Sequence, residues 1–278
     1  MTGFSLCVIG NSHTAAVWQA WKSGAVAANA GFSMTVFASQ ANSVEMEHRD
    51  RSLVPINPTV SRMFGLTSGG KDRIEIDKYD AFLLVGLGYG IDLARTLGRC
   101  SVVEHLAHGS AETVVSHACL IGVIRAHNAK SPALKFATRI RADSAAPILI
   151  YPTPFRPETG LFKRDDPCIS DRTLLDNIMP RSMAAVSELA SEYGCEVIWQ
   201  HPETVALPGL TKAEFAKGAV KLKGNPEQRN KHVNPDFAVL SLRAILQRLG
   251  QAAPGSARDH VTGHDIEPET REFVPPAT

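Results

Sequence analysis

The sequence predicts an α/β protein, a three-layer sandwich with a mostly parallel five-stranded sheet between two layers of helices. Three observations carry this. Five short apolar runs, at residues 4–9, 32–38, 80–86, 147–151 and 195–199, alternate with stretches of helical character, and that alternation builds parallel sheets covered on both faces. The third run, DAFLLVG, is apolar almost throughout, as a strand buried on both sides requires. Glycine turns follow the first and third runs, GNS at 10–12 and GLGYG at 86–90. Right-handed crossovers bring the turn after each strand to one edge. Ser12, the turn 86–90, residues 151–155 and Gln200 with His201 are therefore expected side by side.

Taken in order, residues 4–9 (FSLCVI) give strand one and residues 13–28 a helix whose apolar side carries Trp18 and Trp21. Residues 32–38 (FSMTVFA) are rich in β-branched and aromatic side chains and give strand two. Residues 39–79, with Pro55, Pro58, Gly65, Gly69 and Gly70, read as a long irregular region that is functional or hides short elements. Strand three follows, then helical stretches at 91–97, 110–128 and 132–143. Strand four, PILIY, ends in a loop broken by Pro152, Pro154 and Pro157. A helix at 181–193 has Pro180 at its first turn and Gly194 as its stop. CEVIW is strand five, and 211–217 reads as a short helix. In the final helix, Asn234 caps, Pro235 takes the first position, and Val239, Leu242, Leu246 and Leu249 form one apolar stripe that ends at Gly250. Residues 1–250 are thus expected to form one domain. Residues 251–278 hold four prolines and little apolar periodicity, so they are expected to be a disordered tail.

With 44% hydrophobic and 21% charged residues in 278, the chain can bury a large core. Twenty-nine basic and 28 acidic residues leave a net charge of +1, which gives no basis for a nucleic-acid or membrane surface. The N-terminus lacks a basic n-region and its apolar run is only a strand long, so neither a signal peptide nor a membrane span is expected. Five widely spaced cysteines, without a C-x-x-C, fit a reduced, cytoplasmic setting. No metal or cofactor is expected. Glu104, His105 and His108 share no further ligand pattern, and GLGYG lacks both G-x-G-x-x-G spacing and a P-loop lysine.

Chemistry concentrates in FSLCVIGNSHTAA, residues 4–16. A serine on a strand-to-helix turn stands at the edge where α/β proteins place reacting groups. There Ser12 offers a hydroxyl nucleophile and a backbone N–H as an oxyanion donor. Taken alone, GNS reads more readily as only a turn with a helix cap. A serine nucleophile needs a base, and among ten histidines His232, in KHVNPDF before the last helix, is placed to return to that edge. His13, directly after Ser12, either contacts the substrate or sits in the first helical turn, and the second reading is favoured. His201 follows a strand end and is read equally as lining the site or as an idle loop residue.

GNSHT near the start, with HVNPDFAV before a final helix, resembles the SGNH (GDSL-type) hydrolases. The resemblance spans residues 4 to 249 in element order, with motif-level similarity at the two ends. It implies a flavodoxin-like fold, Ser12 as nucleophile and His232 as general base and acid. It further implies Asn11, Gly88 and Asn42 as neighbouring oxyanion or substrate donors. The substrate implied is a small-molecule or saccharide ester. Hydrolysis and acyl transfer to a hydroxyl are both compatible, as is a catalytically silent domain that binds a saccharide or a protein.

The chain departs from the family pattern at three places. The aspartate three residues before the histidine is replaced by Arg229, and the nearest acids, Glu227 and Asp236, are off that spacing. Gly88 stands where the family has an oxyanion asparagine, leaving only a backbone N–H. The second-block glycine has no counterpart at 39–41, where Asn42 is the nearest donor. A triad acid is worth about 10⁴ in rate, so Arg229→Asp is expected to raise hydrolysis of an activated ester. No change would mean that another carboxylate serves or that the loop differs.

Overall fold

The computed structural model describes residues 3–26, 31–39, 45–92, 100–102, 113–158, 172–220 and 232–252. Its main sheet contains β1 (Phe4–Gly10), β2 (Phe32–Ala38), β3 (Ala81–Val85), β4 (Ile148–Tyr151) and β5 (Glu196–Val197), in spatial order 2-1-3-4-5. All four neighbouring pairs are parallel. This is the flavodoxin-like order, with the crevice for chemistry at the carboxyl ends beside β1 and β3. The expected fold class is the one observed.

Alternation along β1 divides the core into two layers. Leu6 and Val8 face one side, against α1 (Thr14–Lys22) and the last helix, α6 (Pro235–Ala252). Cys7 and Ile9 face the other, where α2 (Pro58–Ser68), α3 (His117–Ala129), α4 (Pro132–Arg141) and α5 (Arg172–Glu192) contribute Phe64, Leu120, Phe136 and Val186. In α6, Leu242, Leu246 and Leu249 are buried as the stripe predicts. Asn234 caps that helix, its Oδ1 accepting from the Phe237 N–H at 3.1 Å.

Several elements differ from the sequence expectation. The first helix stops at Lys22 rather than at 28, because Gly24 takes a positive φ just beyond the Ser23 cap. The region 39–79 holds an antiparallel hairpin, Met46–Arg49 with Ser52–Pro55, and the eleven-residue α2. The hairpin turn, Asp50-Arg51, carries positive φ at both positions without the Asn-Gly or Asp-Gly pair that normally signals it. Arg51 is held there by Asp77 Oδ1 at 2.6 Å and the Asp143 carbonyl at 2.9 Å.

Residues 113–115, expected as helix, form a β-branched strand paired in parallel with Cys100–Val102, and Ser116 then caps α3. Pro180 lies inside α5 rather than at its start. An interior proline costs about 3 kcal/mol, and burial of Leu175, Ile178 and Met179 around it offsets that cost. A hairpin, Val205–Leu207 with Leu210–Thr211, takes in the first residue of the stretch 211–217 read as a short helix, and only Ala213–Ala216 is helical there. The last helix continues two residues past Gly250, to Ala252. The remainder of the predicted tail, and the stretch 93–97 of a predicted helix, lie outside the described residues. No helix among the described residues is long and apolar enough to cross a membrane.

Candidate active site

The site is built on the turn between β1 and α1. Gly10 ends β1 where a Cβ would overlap the Thr14 methyl group and the Val85 carbonyl oxygen, so only glycine lets α1 start this close to β3. Asn11 is buried at 6% exposure and organises the turn. Its side-chain oxygen accepts from the His13 N–H at 3.1 Å, and its carbonyl accepts from the Thr14 N–H at 3.0 Å and the Thr14 hydroxyl at 2.5 Å. That arrangement leaves Ser12 half-buried at the head of α1, with His13 in the cap position.

His232 arrives from the other end of the chain. Asn234, two residues on, is fixed by more than its cap bond. Its backbone N–H donates to the Phe215 carbonyl at 2.8 Å, and its amide donates to the carbonyls of Glu214 and Lys217 at 3.0 and 3.1 Å. The short helix Ala213–Ala216 thus clasps the entry to α6 and sets where His232 stands. There His232 Nε2 lies 2.9 Å from Ser12 Oγ, across 220 positions of sequence. The His232 ring also stacks on His13, with centroids 4.7 Å apart and planes 18° from parallel.

The second glycine turn lies against the first. Gly86, at φ +69°, packs so closely that a Cβ there would stand 2.7 Å from Asn11 Oδ1 and 3.1 Å from His13 Cδ2. Gly88 follows at φ +71° in the same turn, at the end of β3 beside β1. The turn is pinned from below by Asn128 of α3, which is fully buried. The Asn128 amide accepts from the Gly90 N–H at 2.7 Å and donates to the carbonyls of Gly90 and Ile124, both at 2.9 Å. Losing that side chain leaves the half-buried N–H and carbonyl of Gly90 without it, at up to about 1–3 kcal/mol for each group. Asn128→Ala is therefore expected to lower stability by about 2–4 kcal/mol in urea unfolding. A change under 0.5 kcal/mol would mean that the turn holds itself.

Other loops on this edge are braced rather than reactive. Asp92, just past the turn, pairs with Arg156 from the loop after β4, Nη2 lying 2.9 and 3.1 Å from the two carboxylate oxygens. Gln200 is buried and accepts from the Phe155 N–H at 3.0 Å. His201 caps the short helix Pro202–Thr204, its Nδ1 accepting from the Glu203 N–H at 3.3 Å. Two other titratable groups in the sheet strands are poor reactants. Cys7 is fully buried, and burial pushes its thiol well up. Tyr151 is raised by burial as well, and its hydroxyl lies 2.6 Å from Ser241 Oγ.

The structure thus brings Ser12, His232 and Asn11 together, with the Gly88 turn alongside. Asp236 is exposed on the first turn of α6. Asn42, Glu227, Arg229 and the trio Glu104, His105 and His108 lie outside the described residues. Among the described residues no group of three or more His, Cys, Asp or Glu side chains converges as a metal ion would need. Sequence reasoning missed Asn128, which looks like an ordinary helix-end polar residue, and the stacking of His13. The signal for His13 was its position directly after Ser12 at the mouth of a helix.

No family model matches the chain, and no curated protein matches it in sequence. Solved structures with some likeness include an extracellular lipase from Streptomyces rimosus, 11% identical with a TM-score of 0.42, the match covering 88% of this chain and 99% of that one. The periplasmic domain of a lipopolysaccharide acetyltransferase from Salmonella ser. Paratyphi A is 10% identical with a TM-score of 0.42, covering 90% and 85%. A carbohydrate esterase family 2 enzyme with a carbohydrate-binding domain, from Corynascus thermopiles (Myceliophthora fergusii), is 10% identical with a TM-score of 0.35, covering 90% and 66%.

Proposed function

We propose that the protein is a serine-dependent acyl hydrolase or acyltransferase of SGNH type, acting on a small or carbohydrate-linked ester. The observation that carries this reading is the 2.9 Å contact between Ser12 Oγ and His232 Nε2 at the carboxyl edge of a parallel sheet. For His232 to act as base its Nε2 must be the bare nitrogen, with the ring proton on Nδ1. The Ser12 oxygen then attacks the acyl carbonyl while its proton passes to Nε2. The resulting oxyanion is met by the Ser12 N–H at the head of α1, where the helix dipole favours negative charge. The Gly88 N–H is the second donor in this reading.

Collapse breaks the ester C–O bond, and the alcohol leaves with the proton from His232. An acyl group remains on Ser12. A second hydroxyl, of water or of an acceptor sugar, then gives its proton to Nε2, attacks the acyl carbon and frees Ser12. Water makes the protein a hydrolase and a sugar hydroxyl makes it a transferase.

The test is turnover of an activated acetyl ester by the purified protein and by Ser12→Ala. Serine-dependent turnover supports the reading. Equal rates in the two proteins would leave an inherited, unused pair. Arg229, standing where the family has an aspartate, favours that second reading, in which the domain is silent and binds a saccharide or protein.

A further inference from the structure

We propose that His13 is a positioning residue, a plate that holds the His232 imidazole face-on so that Nε2 stays in line with the Ser12 hydroxyl. The proposal rests on the acyl-transfer reading of Ser12 and His232. The contact at Nε2 acts on the edge of the ring, and the plane of the ring is a separate matter. A second ring lying 18° from parallel at 4.7 Å restrains that plane by lying against its face, and this separation falls in the range where aromatic pairs attract.

The plate is itself backed. The His13 N–H is held by Asn11 Oδ1 at 3.1 Å. Its Cδ2 lies where a Cβ on Gly86 would come within 3.1 Å, so the ring rests against the bare backbone of the second glycine turn. Gly86 thus borders the His13 ring, and the His13 ring in turn stacks on His232. Because Ser12 and His13 are consecutive, the turn that aims the nucleophile also aims the base, and the two move as one unit. This orientation acts on the face of the His232 ring, so it works whatever accepts the proton on Nδ1. In the family pattern an aspartate supplies the orientation from the ring edge, and Arg229, which has no acceptor, cannot do so from that position.

The test is the rate at which a fluorophosphonate labels Ser12, measured on the full chain in the wild type, His232→Ala, His13→Ala and His13→Phe, with the unfolding midpoint of each variant recorded. Phenylalanine keeps the flat face and removes the nitrogens. The expected result is labelling lost in His232→Ala, about 10- to 100-fold slower in His13→Ala, a scale set by the cost of misplacing a reacting group, and restored to within about threefold of wild type in His13→Phe. Steady-state turnover of an activated ester should show the His13→Ala loss in kcat with KM unchanged. Wild-type labelling in His13→Ala overturns the proposal, and so does a His13→Phe as slow as His13→Ala, which would mean that the ring nitrogens matter and not the face. Equal labelling of wild type and His232→Ala would instead overturn the acyl-transfer reading itself, and the positioning role with it.

Discussion

Ser12→Ala and His232→Ala are each expected to lower turnover of an activated ester by at least about 100-fold, and the double variant by no more than either alone. Groups that act as a unit are non-additive, because once the base is gone the hydroxyl has nothing to receive its proton. A complete triad is worth on the order of 10⁶ in kcat and its acid about 10⁴ of that. A serine–histidine pair working without a family-spaced aspartate should therefore lose on the order of 10² to 10⁴. Initial rates on the four proteins at one pH decide the matter. Losses that multiply would show that Ser12 and His232 act separately, and the 2.9 Å contact between them would then be structural.

Gly86→Ala is the substitution expected to do most damage without touching a reacting group. A left-handed backbone costs an L-residue about 1–2 kcal/mol, and Gly86 sits at φ +69°. The new methyl would also stand 2.7 Å from Asn11 Oδ1 and 3.1 Å from His13 Cδ2. Asn11 cannot move aside freely, because that oxygen accepts from the His13 N–H and shapes the turn carrying Ser12. We expect a stability loss of about 2–4 kcal/mol in urea unfolding. At temperatures where the variant stays folded, activity should fall by about 10- to 100-fold, since sub-ångström misplacement of reacting groups is costly. Gly65→Ala is the control. It lies within α2 with nothing near the added methyl and is expected to stabilise by about 0.5–1 kcal/mol. Unchanged activity in Gly86→Ala would mean that the two glycine turns are not coupled.

The sheet was legible because its three central strands are largely buried on both faces. Runs such as AFLLV can do little else, and the alternation with helices sets parallel pairing. The last helix was legible for a different reason, since Asn234, Pro235 and the leucine stripe mark its start and its buried face separately. What escaped was local structure whose stabilising partner lies far away in sequence. Asp50-Arg51 adopts a turn that its own residues disfavour, because Asp77 and the Asp143 carbonyl hold Arg51. Pro180 ends no helix, because the core residues on both sides of it reward continuation. At the site, Ser12 and His232 carried a motif, so each could be picked out before their distance was known. Asn128 carried none. Its amide matters only because the turn at Gly90 passes above α3, and nothing within either segment announces that approach. His13 was visible but read as part of the first helical turn, whereas it stands one position earlier, at the cap. Its ring contact depends on a partner 219 residues away.

The most direct test of the account is the site of covalent capture. Purified protein treated with a fluorophosphonate, digested and analysed by mass spectrometry should carry one adduct, on Ser12 in the peptide containing GNSHT, and the adduct should disappear in His232→Ala. No adduct on Ser12, or an adduct there that His232→Ala leaves untouched, would contradict the claim that these two residues form a working nucleophile and base.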